Sequence, residues 1–239
     1  MQANPNLEKA QSYLSLNIAP HGRAHAISSA LPFVTLSRQA GAGATTLARL
    51  VTQQLNLRIL PDGKPWRVYD GNLVQAMLRD SDYPDHLAQF LPEDTLSEID
   101  ASIGEILGRH PNLWEMIQKT NQLIRRLARQ GNCILIGRAA NFVTADLPNG
   151  MHLRLIARVD DRINHLAQQQ KISTTVARLR NQFRDKARDR FVKGHYNRDV
   201  NDPQDYDMVI NTSHISAVEA GRILIEMIEA RTPVRLNGY

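Results

Sequence analysis

Apolar residues along the chain follow two rhythms. Short, nearly unbroken runs occur at "FVTLS" (Phe33–Ser37), "WRVYD" (Trp66–Asp70), "NCILIGRAA" (Asn132–Ala140), "MHLRLIARV" (Met151–Val159) and "YDMVINT" (Tyr206–Thr212). Runs of this length, bounded by turn residues, predict strands buried on both faces. Between them the apolar positions recur at helical spacing. Leu47, Leu50, Val51 and Leu55 mark one helix, "NLVQAMLRD" a second and "DDRINHLAQQQ" the start of another. A long basic helical segment runs to about His195, and "SAVEAGRILIEMIEA" closes the chain, with Ser216 and Glu219 spaced as a capping box. The segment from Tyr83 to Gly131 shows helical patterns interrupted by Pro84, Pro92 and Pro111, and no strand. "PDGK" (Pro61–Lys64) is turn chemistry.

Strands alternating with helices predict an α/β fold, a parallel sheet covered on both faces. In such a sheet ligands bind beyond the C-terminal ends of the strands. The residues expected there are Ser37–Arg38, Tyr69–Asp70, Gly137–Arg138, Val159–Asp160 and Asn211–Thr212, and most of these edges carry a polar or charged group. Residues 1–30 are polar, with a short helical pattern around Leu7, Ala10, Leu14 and Leu16, and read as an arm appended to the domain of residues 31–239.

Composition narrows the class. The chain has 239 residues, 42% hydrophobic and 22% charged, as ordinary globular proteins do. The sequence has no run apolar enough to span a bilayer and no secretory signal pattern. Its one cysteine, Cys133, excludes an internal disulfide, so the expectation is a cytoplasmic protein. The net charge is +5. Arginines crowd into Ala177–Arg198 and do not spread along the chain, and no aromatics interleave with them as a stacking platform for nucleic acid requires. A local clamp for anionic small molecules fits this distribution better than a nucleic-acid surface.

The candidate chemistry begins at "SRQAGAGATTLA". Gly41 and Gly43 let the backbone turn and aim N–H groups at an anion, and the following helix adds the positive end of its dipole. Ala42, Ala44, Thr45 and Thr46 complete the loop, and the threonines offer hydroxyls to a phosphate or to Mg²⁺. The same glycines also suit a plain strand-to-helix turn. The pattern G-x-x-x-x-G-K-[ST] is not met, because Ala44 stands at the lysine position. Arg138, directly after "CILIG", is expected to point into the cleft, where its planar fork suits a phosphate. Arg180, Arg184 and Arg188 recur at four-residue spacing and share one helix face. Asp70 reads as a helix cap or as an acceptor of ligand hydrogen bonds.

Together "TLSRQAGAGATTLA", "ILIGRAANFV", "RDKARDRFVKGHY" and "DYDMVINTSHIS" resemble the cytidylate kinase-like family, a branch of the nucleoside monophosphate kinases, from about Val34 to Ile228. The resemblance implies a P-loop NTPase-type three-layer α/β/α sandwich with a five-stranded parallel sheet. It also implies a helical monophosphate-binding insertion (about 83–131) and a helical lid (about 172–198). It implies ATP and Mg²⁺ as reactants, with Thr45 the candidate Mg²⁺ contact, and phosphoryl transfer to a nucleoside monophosphate, CMP or dCMP first. Asp70, Arg138 and Asp185 fall where the acceptor binds, and Asp185 and Arg188 match the D-x-x-R of the lid. Arg38, Arg184 and Arg188 are then the catalytic cations, with Arg38 beside the missing lysine. The alternative is a catalytically weak or inactive nucleotide-binding protein on the same fold, its arm a surface for a protein partner.

Overall fold

The computed structural model describes residues 31–58, 64–71 and 111–232. The arm of residues 1–30, the turn at 61–63, the helix expected from Asn72 and the insertion up to residue 110 lie outside the described residues.

The five predicted strands form one sheet: β1 (Phe33–Arg38), β2 (Arg67–Tyr69), β3 (Cys133–Ile136), β4 (Gly150–Ile156) and β5 (Met208–Asn211), in spatial order 2-3-1-4-5. Every pairing is parallel. β1 lies at the centre, with Phe33 opposite Cys133 on one side and Gly150 on the other. Parallel neighbours demand crossovers, and these are helical: α1 (Ala44–Asn56), α2 (Pro111–Gln130), α3 (Ala140–Val143), α4 (Val159–Gln170), α5 (Thr174–Tyr196) and α6 (Ala217–Arg231).

The alternation of β1 shows the two faces. Val34 and Leu36 join Leu47, Val51 and Leu55 of α1 and Leu224, Ile225 and Ile228 of α6 in one core. Phe33 points the other way, into a second core with Ile124 and Leu127 of α2, Leu135 of β3 and Val143 of α3. Cys133 is buried in that second layer, its thiol donating to the Leu127 carbonyl (3.5 Å), and burial pushes its pKa far up. The three-layer α/β/α arrangement follows from strands apolar on both faces.

Local signals hold at the helix ends. The Ser216 side chain accepts from the Glu219 N–H (3.2 Å), and the Glu219 carboxylate accepts from the Ser216 N–H (2.9 Å), the capping box expected from spacing. The fourth strand is shorter than its apolar run. It stops at Ile156, and Val159 is the first residue of α4 and half exposed. Asp160 falls in the first turn of α4 and does not cap it; the cap position is Arg158.

His152 on β4 shows how a polar pair is held inside the sheet. It sits opposite Thr35 of β1, with Nδ1 2.9 Å from Thr35 Oγ1. Burial holds its pKa below the ordinary histidine value, aided by the Arg231 charge and opposed by Asp207. The folded state therefore resists protonation. Stability from this group is complete above about pH 6.5, the unfolded value, and is lost as pH falls toward the lower folded value. We expect the melting temperature to drop more steeply between about pH 7 and pH 5 in the wild type than in His152→Asn, which keeps a partner for Thr35 but does not titrate. Parallel curves for the two proteins would reject the assignment.

Candidate functional site

The loop Gln39–Gly43 joins the C-terminal end of the central strand to α1. Gly41 and Gly43 both take left-handed backbone angles (φ +81° and +84°), which fits the reading of a loop only glycine can form without strain. Space is the second constraint. A Cβ on Gly41 would stand 2.4 Å from the carbonyl oxygen of Arg162, so α4 packs directly against the loop. Gly43 is the N-cap of α1 and brings no side-chain oxygen to it.

Around this loop lies a cleft of about 520 Å³. Its lining includes Gly41, Ala42, Gly43, Ala44, Thr45 and Thr46 from the loop and first helical turn. Arg38, Asp70, Arg138, Arg184 and Arg188 line it from four other elements. The structure thus brings together every expected site residue except Asp185. Among the described residues, four arginines and a single carboxylate, Asp70, face the same space. Such a balance favours an anion.

Arg138 reaches the cleft from a strained turn. Gly137, Arg138 and Ala139 are successively left-handed, at φ +75°, +56° and +52°. Two of these are not glycine, and such angles cost on the order of 1–3 kcal/mol each. The Arg138 side chain is 4% exposed, and its Nη2 lies 3.5 Å from the Gly71 carbonyl, next to Asp70. The strain aims a buried guanidinium along the sheet edge.

The arginine stripe of α5 divides. Arg184 and Arg188 line the cleft, whereas Arg180 does not and donates to Oε1 of Gln170, a lining residue (2.7 Å). Asp185 does not line the cleft; it binds the loop from behind. Its Oδ1 accepts from the Ala40 N–H (2.7 Å) and its Oδ2 from Arg162 Nη1 (2.5 Å), with Arg188 Nη1 at 3.5 Å. Arg162 in turn donates to the Ala40 carbonyl (3.1 Å) and the Ala157 carbonyl (3.2 Å) and is 8% exposed. This carboxylate–guanidinium pair bolts α5 and α4 to the start of the glycine loop.

Ala44 fills the lysine position differently from an amine. Its side chain is 5% exposed and joins the sheet-facing core with Val34 and Leu47. Thr45 and Thr46 are exposed at the cleft. Thr212 ties β5 to the loop, donating to the Ala42 carbonyl (3.2 Å).

Beneath the loop lies a polar group that sequence reading passed over. Arg154 on β4 is 4% exposed and donates to Ser37 Oγ (2.9 Å) and Asn201 Oδ1 (2.7 Å). The Tyr206 hydroxyl donates to the Val200 carbonyl (2.8 Å), and burial raises its pKa. Also missed were Arg162, His165 and Gln169 of α4. They recur at helical spacing on one face, a signal present in "DDRINHLAQQQ" but easily read as an ordinary solvated helix.

The Arg162–Asp185 pair yields a prediction. Breaking a largely buried pair by removing one partner leaves the other charge stranded, which costs about 3 kcal/mol or more. Arg162→Met should lower the unfolding free energy by that amount, read as a lower urea midpoint at unchanged slope. Asp185→Asn, which still accepts from the Ala40 N–H, should cost less. Equal stability of Arg162→Met and wild type would show the pair to be incidental.

Comparison with known proteins agrees with this architecture. No curated protein matches the chain by sequence. An uncharacterized protein from Eubacterium ventriosum shares the fold at a TM-score of 0.61 and 15% identity, over 83% of this chain and 99% of that one. TT1252 from Thermus thermophilus does so at a TM-score of 0.50 and 14% identity, over 87% and 99%. The profile of the cytidylate kinase-like family matches residues 33–214, which run from β1 through α5 to the loop after β5. The chain belongs to the cytidylate kinase-like family.

Proposed function

We propose that the protein transfers a phosphoryl group from ATP to a nucleoside monophosphate, with CMP or dCMP the first acceptors to consider. The observation that carries this reading is the convergence of Arg38, Arg138, Arg184 and Arg188 on one cleft around a glycine loop. Phosphoryl transfer needs positioning and neutralisation of spreading negative charge more than it needs a covalent catalyst. The acceptor phosphate is already ionised, so no general base is required.

The roles follow from position. The loop and the N-terminal residues of α1 receive the donor phosphates. Arg184 and Arg188 reach in from α5, and Arg38 stands where β1 ends, beside the place a lysine would fill. Arg138 and Asp70, on the neighbouring strand ends, suit the acceptor: a fork for its phosphate and a carboxylate for its sugar or base. Asp185, with Arg162, holds the loop for these groups. Mg²⁺ would neutralise and orient the transferring phosphates. The exposed Thr45 hydroxyl fits as one protein ligand, the rest being phosphate oxygens and water.

One observation favours a second reading, a nucleotide-binding protein with weak or no turnover. Ala44 turns into the core and offers no cation to the β- and γ-phosphates. Loss of one charge-stabilising donor costs on the order of 10²–10³ in rate.

An ADP-release assay with ATP, Mg²⁺ and a panel of nucleoside and deoxynucleoside monophosphates separates the readings. We expect turnover with CMP or dCMP, and a fall in kcat of about 10²-fold or more in Arg38→Ala and in Arg188→Ala. ATP binding without turnover on any acceptor would favour the second reading. Failure to bind ATP at all would refute both.

A further inference from the structure

His165 follows Arg162 on the same face of α4, and its Nδ1 lies 2.7 Å from the carbonyl oxygen of Gly41. A carbonyl only accepts, so Nδ1 carries a hydrogen and donates it. That assignment leaves Nε2 as the variable atom: a lone pair in the neutral ring, an N–H in the imidazolium. Nε2 has no partner among the described residues. The ring lines the main cleft and also an adjoining cavity of about 170 Å³, which shares Gly41, Ala42, Gly43 and Thr46 with it. His165 is thus strapped to the phosphate loop at one nitrogen and open to ligand space at the other.

We propose that His165 binds the donor phosphates through Nε2 and takes up a proton as they enter, supplying the loop with the cation that Ala44 does not. This deepens the reading of the cleft as a nucleotide site and rests on it. A neutral Nε2 would set its lone pair against a phosphate oxygen, whereas the imidazolium donates a charge-assisted hydrogen bond. The bond from Nδ1 to Gly41 survives in both states, so protonation needs no ring flip. One proton passes from solvent to Nε2, and no covalent bond to phosphorus changes.

The groups facing the ring set the balance. The charged groups that share these cavities or this helix with the ring are Asp161, one turn earlier on α4, Asp70 across the cleft, Arg162 on its own helix, Arg38 at the loop, Arg138 at its turn and Arg184 and Arg188 on α5. A polyphosphate adds negative charge beside Nε2 and favours the imidazolium. The histidine pKa is then higher in the complex than in the free protein. By linkage, affinity rises as pH falls through the bound value and levels off below the free value. Between the two values each pH unit changes Kd by about tenfold.

The test is an NMR titration of the imidazole nitrogens in the intact protein, with and without saturating ADP, alongside calorimetry in two buffers of different ionisation enthalpy. His165→Asn identifies the resonance and serves as the comparison, because its amide nitrogen can still donate to the Gly41 carbonyl but nothing replaces Nε2. We expect the His165 pKa to rise by about one unit or more with ADP bound. ADP binding should carry a proton uptake that His165→Asn lacks, and that variant should bind about tenfold more weakly near pH 6. ADP that binds tightly while the His165 titration stays put would overturn this inference and leave the nucleotide site standing. Should neither ADP nor pyrophosphate bind between about pH 6 and pH 8, where histidine charges, the nucleotide reading falls and the inference with it.

Discussion

Past Gln39 the loop is made of glycine and alanine, with no side chains to hold its own shape, and here the shape is imposed from outside. Arg162 and Asp185 grip both backbone groups of Ala40, the guanidinium on its carbonyl and the carboxylate on its N–H. The Gly41 carbonyl is taken by His165 and the Ala42 carbonyl by Thr212. Gln39 is tied twice to the end of β4, its N–H donating to the Leu155 carbonyl and its side-chain oxygen accepting from the Ala157 N–H. A chain free to choose among conformations would lose on the order of 1–2 kcal/mol per residue on being ordered there. These contacts meet that cost before any ligand arrives. The same contacts set the distance between the loop and the two helices that bring Arg184, Arg188 and His165 to it.

The arrangement gives one carboxylate two consequences. Asp185 is mechanical, since it fixes the loop, and electrostatic, since it sits behind the cleft near Arg188. Next along α5, partial burial and the Asp185 charge hold the Asp189 carboxyl above its ordinary range. Asp185 thus stays behind the cleft, while the four arginines line it together with Asp70. An anion entering the cleft meets those arginines, and the Asp185 carboxylate is occupied with backbone and guanidinium.

What could be read from the sequence was whatever is local or fully buried. Five strands stood out because Val34, Ile134, Leu153 and their neighbours are apolar on both faces, and nothing but a covered parallel sheet accepts such runs. The capping box at Ser216 was legible because its two partners are three residues apart. Arg138, Arg184 and Arg188 were found because a charge at a strand end or in a stripe is conspicuous. Arg162 and His165 were not, because each acts on a residue more than 120 positions away. Nothing in "DDRINHLAQQQ" says which face meets the loop. Arg180 erred the other way: its spacing places it on the stripe, but Gln170 on the neighbouring helix draws it aside. Asp185 carried a motif, and the motif did not reveal that its partner would be a backbone N–H.

The cluster of arginines around the cleft also bears on how long the molecule lasts. Any polyanion that binds the folded cleft and not the unfolded chain adds RT ln(1 + [L]/Kd) to the stability, about 2.7 kcal/mol at a hundredfold excess over Kd. That is a large share of the 5–15 kcal/mol by which a domain of ordinary size stays folded. Proteolysis that samples the open form slows by the same factor. A cell rich in the ligand would accumulate this protein and a starved one would clear it, with no change in the rate of its synthesis.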